Sequence, residues 1–366
     1  MLLSKYLPRT EFDSYEDFKE NYKVNAPLNF NFGYDVVDAW AESEPEKRAL
    51  VWCDDHEHEH SFTFAEISRM SNRAANYFRD LGVTRGTVVM LILRRRWEYW
   101  ICATALHKLG AVLIPGSLQL TKKDLVYRAN AAGIQTIICV DDAFVIEQVE
   151  NAMQETDVIK NRILVDEKRD GWHFFNDEIM EYPDTLSRVD TSISDTMLVY
   201  FTSGTTGMPK MVAHNFSYPL GHIVTAKYWQ QVQENKLHMS VSDSGWAKFG
   251  WGKIYGQWLC GAVVFAYDMD KFVPLNLLEK ITKYKVTTFC APPTMFRFML
   301  QEDVTKFDLS CIKHCCIAGE PLNPEVFKKW YERTGLKLCE GFGQSESTVM
   351  LANFQWFDPI PGSTGK

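Results

Sequence analysis

The sequence predicts an α/β protein built from βαβ units around mostly parallel sheets. Short β-branched runs alternate with helical patterns through the first two-thirds of the chain, as crossover connections require. Those runs are apolar throughout rather than alternating, the pattern of strands covered on both faces. At 366 residues, with 46% hydrophobic and 23% charged residues, the chain can bury two or three compact units.

The elements follow in order. Ala49–Cys53 and Ser61–Phe64 read as the arms of a hairpin. Thr63-Phe64-Ala65-Glu66 is a capping box; Ile67, Met70, Ala74, Phe78 and Leu81 then keep one apolar face, and Gly82 closes the helix. Strands are expected at Thr87–Leu93, Ala111–Ile114 and Gln135–Val140, with a helix over Trp97–Leu109 ending at Gly110. A second set is expected at Met197–Phe201, Ala262–Tyr267, Thr287–Ala291 and Lys337–Glu340, with a helix over Met295–Leu300. The polar stretch Asp166–Asp195 marks the change of unit, so residues 1–180 form a first α/β subdomain, 181–350 a second, and 351–366 the start of a remainder.

A net charge of -8 gives no long-range attraction to nucleic acid or to an anionic membrane. No apolar run reaches spanning length, and the start, MLLSKYLPRTEFDSYEDF, soon turns acidic, unlike a secretory signal or an Arg-rich transit peptide. Nine cysteines, an odd number without framework spacing, read as reduced, buried thiols. A cytoplasmic protein of a bacterium or archaeon fits, and an oligomer of identical chains is compatible with this composition.

The most informative segment is Thr202-Ser203-Gly204-Thr205-Thr206-Gly207-Met208-Pro209-Lys210, directly after the strand Leu198–Phe201. Polyphosphate needs many donors close by and no side-chain obstruction. Gly204 and Gly207 permit close backbone approach, four hydroxyls add donors, and Lys210 adds charge. The spacing is not that of a Walker loop, because two residues separate the glycines, Pro209 intervenes and Met211 follows the lysine. Composition alone leaves a surface turn as the alternative.

The full string TSGTTGMPK resembles the phosphate-binding signature of the adenylate-forming (AMP-binding) superfamily, which holds acyl-CoA synthetases, peptide-synthetase adenylation domains and luciferases. Further segments in the order of that family resemble its other signatures: Ala291-Pro292-Pro293-Thr294, then Ala318-Gly319-Glu320-Pro321-Leu322, then Glu340-Gly341-Phe342-Gly343-Gln344-Ser345-Glu346. Leu109–Pro115 and Gln119–Asp124 are similar to the medium-chain and acetyl-CoA-synthetase-like group. The resemblance implies two βαβ-rich subdomains with stacked, mostly parallel sheets, and ATP, Mg²⁺ and coenzyme A as cosubstrates and cofactor. It implies that Gly319, Glu320, Pro321, Glu340, Gly341, Phe342, Gly343 and Gln344 surround the nucleotide, with Phe342 walling the adenine. Lys210 would stabilise the α-phosphate in the transition state, Ser345 would contact that phosphate or the acyl carboxylate, and Glu346 would hold Mg²⁺. Each has a structural alternative: Glu346 as a helix-start carboxylate, Phe342 as core.

The implied reaction joins a carboxylic acid to AMP and then to CoA, releasing AMP and pyrophosphate. Acetate-specific relatives carry a Trp where this chain has Gly343, and exchanging indole for hydrogen is expected to leave room for several carbons. With Trp246, Phe249 and Trp251 as an apolar slot, a medium-chain, branched or aromatic acid is expected. Lys248 stands among them, paired either with a substrate carboxylate or with solvent. The ending Pro361–Lys366 resembles a mid-protein motif of the family, so a partial β-barrel subdomain, no C-terminal domain and impaired turnover are expected. Two other readings remain at this stage: an acyl-AMP ligase that loads a carrier protein, and a nucleotide-binding scaffold without catalysis.

Three clusters are read as lacking a role. His56, His58 and His60 are expected on one face of an exposed ribbon; Cys311, His314, Cys315 and Cys316 as core leading into the strand before Gly319; and Arg94-Arg95-Arg96 as a solvated face.

Overall fold

A computed structural model describes residues 2–202 and 207–366. Its strands are β1 (Arg48–Asp54), β2 (Glu59–Thr63), β3 (Val88–Ile92), β4 (Val112–Pro115), β5 (Ile134–Cys139), β6 (Asn161–Leu164), β7 (His173–Phe174), β8 (Thr196–Thr202), β9 (Lys210–Asn215), β10 (Leu237–Ser240), β11 (Val263–Asp268), β12 (Thr288–Ala291), β13 (His314–Ile317), β14 (Leu338–Gly343) and β15 (Val349–Ala352). They form two sheets, ordered β7-β6-β5-β3-β4-β8-β9 and β15-β14-β13-β12-β10-β11-β1-β2. Pairing is parallel inside both sheets. Among the described residues it turns antiparallel only at β8–β9, β1–β2 and β14–β15, where short connections join neighbours.

The parallel interior explains the apolar runs. One face of each sheet meets a shared core that combines Leu91, Leu113 and Leu198 of one sheet with Leu50, Val264 and Ala266 of the other. The opposite faces bury separate clusters, around Ile114 and Ile137 in the first sheet and around Phe265 and Phe289 in the second. Helices fill the shared layer. The helix Phe64–Asp80 starts on the expected Thr63/Glu66 capping box. The helix Glu98–Leu109 has every residue buried, which is why its sequence shows no polar face, and it stops at Gly110 with φ 70°.

Sheet membership does not follow the division at residue 180. β8 and β9 complete the first sheet, whereas β1 and β2 form an edge of the second. The order is topological: a hairpin early in the chain pairs through Val51–Asp54 with Phe265–Asp268, more than two hundred residues on. A second helix start, Thr121 with Asp124, is a capping box closed by Asp where the usual signature has Glu or Gln.

Two expectations are corrected. The basic run does not face solvent: Arg94 and Arg95 approach the buried Asp268, Arg95 also meets Asp243 at 3.2 Å, and Arg96 meets Asp166 at 2.7 Å. The run leaves the end of β3 toward the end of β11, so its charges tie the two sheets together. The three histidines do not share a face either, because residues 55–58 are the turn itself and alternation cannot run through them. His56 pairs with Asp270, His58 with Asp54, and His60 packs beside Trp52, Phe62 and Trp97. Among the described residues no group of three His, Cys, Asp or Glu side chains is placed to hold a metal ion. All nine cysteines are free thiols, and every one except Cys311 is buried.

Candidate active site

The ends of the parallel neighbours β13 and β14 open onto one cleft, the place where open α/β sheets take ligands. β13 runs out into Ala318-Gly319-Glu320-Pro321; Gly319 has φ 102°, a conformation that needs glycine, and no neighbour would meet a side chain there. Across the cleft stands the helix Ala247–Lys253, preceded by Trp246. The space between is about 470 Å³ and is lined by Trp246, Lys248, Trp251, Gly319–Pro321, Glu340–Ser345 and Thr364, among others. That size suits a small-molecule ligand.

β14 displays its residues by period two. Gly341 and Gly343 point one way, and a Cβ at either would collide with an indole, that of Trp229 or of Trp251. Phe342 points the other way and keeps its ring 45% exposed, facing the cleft as a free aromatic wall. Glu340 is buried below; its backbone N–H donates to Asn353 Oδ1 at 2.9 Å, and Thr364 Oγ1 donates to its carboxylate at 3.2 Å. Burial pushes the Glu340 carboxyl above its ordinary pKa.

The acyl-pocket expectations change most. Gly343 does not leave an empty channel, because the Trp251 ring from the facing helix occupies the space a side chain there would take. Sequence could not show this: the space is filled by a residue ninety-two positions away. Phe249 does not line the cleft; it is fully buried against Tyr99 and Trp100, with ring centroids 4.5 and 5.2 Å away. Trp246, by contrast, is 66% exposed at the cleft mouth. Lys248 is half-buried in the cleft wall and meets no carboxylate among the described residues: Nζ donates to the carbonyl oxygen of Ala318 at 2.7 Å, and burial lowers its pKa.

Of the loop expected to bind phosphate, Ser203, Gly204, Thr205 and Thr206 lie outside the described residues. The loop joins β8 to β9 with Thr202 opposite Lys210. Thr202, Gly207, Lys210 and Glu346 are not among the lining residues of the cleft, but β9 is tied to one of those lining residues, Ser345, through a residue whose type and spacing drew no expectation. His214 stacks on Tyr218, ring centroids 4.0 Å apart, and its Nε2–H donates to the carbonyl oxygen of Ser345 at 2.6 Å. Burial lowers the His214 pKa, so the ring is neutral near pH 7. Lys210, Val212 and His214 alternate along one face of β9, which is the signal that would have marked His214.

The AMP-binding enzyme family profile matches residues 37–366. The chain belongs to the AMP-binding enzyme family. Human acyl-coenzyme A synthetase ACSM3, a mitochondrial protein, is 35% identical to this AMP-binding enzyme over 363 residues, 97% of the chain and 62% of the relative. Rat ACSM4, also mitochondrial, is 36% identical over 361 residues, 96% and 62% of the two chains. The chain thus spans about 62% of the length of these relatives. Among solved structures, the anthranilate CoA ligase AuaEII in complex with anthranoyl-AMP superposes with a TM-score of 0.85 at 23% identity, covering 93% of this chain and 65% of that one. An acyl-CoA synthetase of Brucella canis superposes with a TM-score of 0.83 at 20% identity, covering 92% and 61%. These superpositions establish the same stacked α/β fold. No helix among the described residues is long and apolar enough to cross a membrane.

Proposed function

We propose that this AMP-binding enzyme is the acid-activating part of an ATP-dependent acid–thiol ligase. It joins a medium-chain, branched or aromatic carboxylic acid to AMP and passes the acyl group to coenzyme A, with release of AMP and pyrophosphate. The observation that carries this reading is the single cleft in which an exposed Phe342, the open turn at Gly319–Glu320 and the apolar faces of Trp246 and Trp251 meet. A purine needs such a flat wall and free peptide edges, and an acyl chain needs the apolar one. Coenzyme A is the proposed acceptor because the relatives are named acyl-coenzyme A synthetases.

The adenine lies against Phe342, beside Gly319–Pro321. Ser345 follows on the same strand end and faces the α-phosphate or the acid's carboxylate. Lys210, exposed at the head of β9, offers a cation to the phosphates. The substrate carboxylate is already ionised at pH 7, so the chain needs no general base to activate it. One carboxylate oxygen attacks the α-phosphorus, the bond to the bridging oxygen breaks, and pyrophosphate departs; the protein's part is to position the groups and stabilise charge. Glu346 is exposed and in no ion pair among the described residues, so its carboxylate suits a hard cation. Mg²⁺ bound there would neutralise phosphate charge. The acyl chain runs along Trp246 and Trp251 rather than past Gly343. Nine unpaired thiols suit a reducing compartment, and we place the protein in the cytoplasm.

The test is acid-dependent exchange of labelled pyrophosphate into ATP, on the protein as its gene encodes it, across acetate, butyrate, hexanoate, octanoate, 2-methylpropanoate and benzoate. Exchange with an acid of four or more carbons, abolished in Lys210→Ala and Glu346→Gln, is the expected outcome. A folded protein that binds ATP yet exchanges with no acid would overturn the enzyme reading.

A further inference from the structure

Lys248 is the one amine among the described residues that line the cleft. It stands three residues before Trp251 on the helix Ala247–Lys253, so both side chains share the helix face turned to the cleft. Trp251 abuts Gly343, which places the amine on the wall next to the strand that carries Phe342 and the turn that holds Ser345. Its hydrogen-bond partner is a neutral carbonyl, that of Ala318, and among the described residues no ion pair holds it. Burial lowers its pKa, with weaker opposing pulls from Cys290, Glu320 and Cys316, so a larger fraction than usual is the free amine. The free-amine form of a lysine is a nucleophile.

An acyl-adenylate is a mixed anhydride with an electrophilic carbonyl carbon, and the adenylation reading above, on which this inference rests, forms one in the same cleft. We infer that Lys248 is an acyl acceptor, and that the enzyme closes its own cleft by acylating this lysine when no thiol takes the acyl group. The Nζ lone pair attacks the acyl carbonyl carbon, an amide C–N bond forms, and the bond from that carbon to the AMP phosphate oxygen breaks. AMP leaves with the electron pair, and the nitrogen loses one proton to water. No oxidant, reductant or further co-reactant is needed. The acyl-lysine fills the apolar wall it was made beside, so the modification ends turnover. Coenzyme A, by consuming the adenylate, suppresses it.

The test adds chemically synthesised butyryl-AMP to the folded chain, without ATP or acid, and follows butyrylation of each lysine by peptide mass spectrometry. Lys271 and Lys313, both exposed, are the internal references. Lys248 is expected to be modified at least about tenfold faster than either, because a bound acyl donor presents its carbonyl at high effective concentration. The preference should vanish in urea-unfolded chain and be blocked by butyryl-sulfamoyl-adenosine, a stable mimic of the adenylate. K248R and K248M should leave that peptide unmodified, but the wild-type ratio decides the matter even if neither variant folds. Butyrylation of Lys248 no faster than of Lys271, in a chain whose melting temperature the mimic raises, overturns the inference while the adenylation reading stands. No preference together with no shift from the mimic overturns both.

Discussion

His214 and Ser345 are 131 residues apart in sequence, yet the imidazole N–H of the first donates to the carbonyl oxygen of the second at 2.6 Å. β9 begins at Lys210 and β14 ends at Gly343, so this bond ties the strand that starts at Lys210 to the loop that follows Phe342 and Gly343. On the proposed reading it would set the separation of the groups that grip one nucleotide.

His214→Phe keeps an aromatic ring against Tyr218 and removes only the donor. A net hydrogen bond is worth about 0.5–1.5 kcal/mol, so kcat/KM for exchange should fall by up to about tenfold. The melting temperature should stay close to wild type, and the ratio of the two effects is read by pairing exchange kinetics with a thermal melt.

The Trp251 ring holds the space beside Gly343, so on the proposed reading it would limit how far an acyl chain can reach. Trp251→Ala should shift the exchange preference toward longer acids, by about 0.8 kcal/mol or fourfold for each added buried CH₂. Gly343→Ala should do the opposite of opening a pocket. Its methyl group meets the indole, and the overpacking should cost about 1–3 kcal/mol of stability. A Gly343→Ala variant with unchanged melting and unchanged preference would refute this packing.

Phe249 and Trp246 divide the work the sequence attributed to them jointly. Phe249→Ala, in the core against Tyr99 and Trp100, should cost about 3–5 kcal/mol in chemical denaturation and leave the relative rates for different acids unchanged. Trp246→Ala, at an exposed position, should stay within about 0.5 kcal/mol of wild-type stability and weaken binding of the acyl-sulfamoyl mimic.

Burial drives the pKa values of His107, His222 and His238 down to about 3 and that of His314 to about 4. Each is neutral when folded and takes up a proton when unfolded below about pH 6.5, so the unfolded state binds more protons in acid. The stability from these groups is complete above about pH 6.5 and is lost progressively toward pH 4. Glu98 acts in the other direction: burial raises its carboxyl to about 7, a contribution present below the ordinary carboxylate range and lost as pH rises through 7. Four histidines outweigh one carboxylate, so the melting temperature should fall between pH 6.5 and 4.5, and His238→Gln should flatten that fall.

The parts of the fold legible in the sequence are those fixed by local chemistry. The Thr63/Glu66 capping box, the Gly110 helix end and the two-sided apolar strands are decided within a few residues of where they appear. Family membership was legible for a different reason: Gly319 and Phe342, which line one cleft, sit in short strings whose order matches the family. What stayed hidden depends on contacts across the chain. The pairing of β1 with β11, the ion pairs from Arg94–Arg96 to Asp268 and Asp166, and the indole of Trp251 over Gly343 each join segments too distant for any local pattern to register. Phe249 and Trp246 have the same apolar character in sequence, and only packing assigns one to the core and the other to the cleft mouth.

The most direct measurement is a calorimetric titration of this chain with butyryl-sulfamoyl-adenosine, repeated in excess ATP and with Phe342→Ala. Saturable binding at one site, displaced by ATP and weakened by at least about tenfold without the Phe342 ring, is the expected result, since base–aromatic stacking is worth about 1–3 kcal/mol. A folded chain that shows no heat of binding, or binds equally well without Phe342, would contradict a cleft built for an acyl-adenylate.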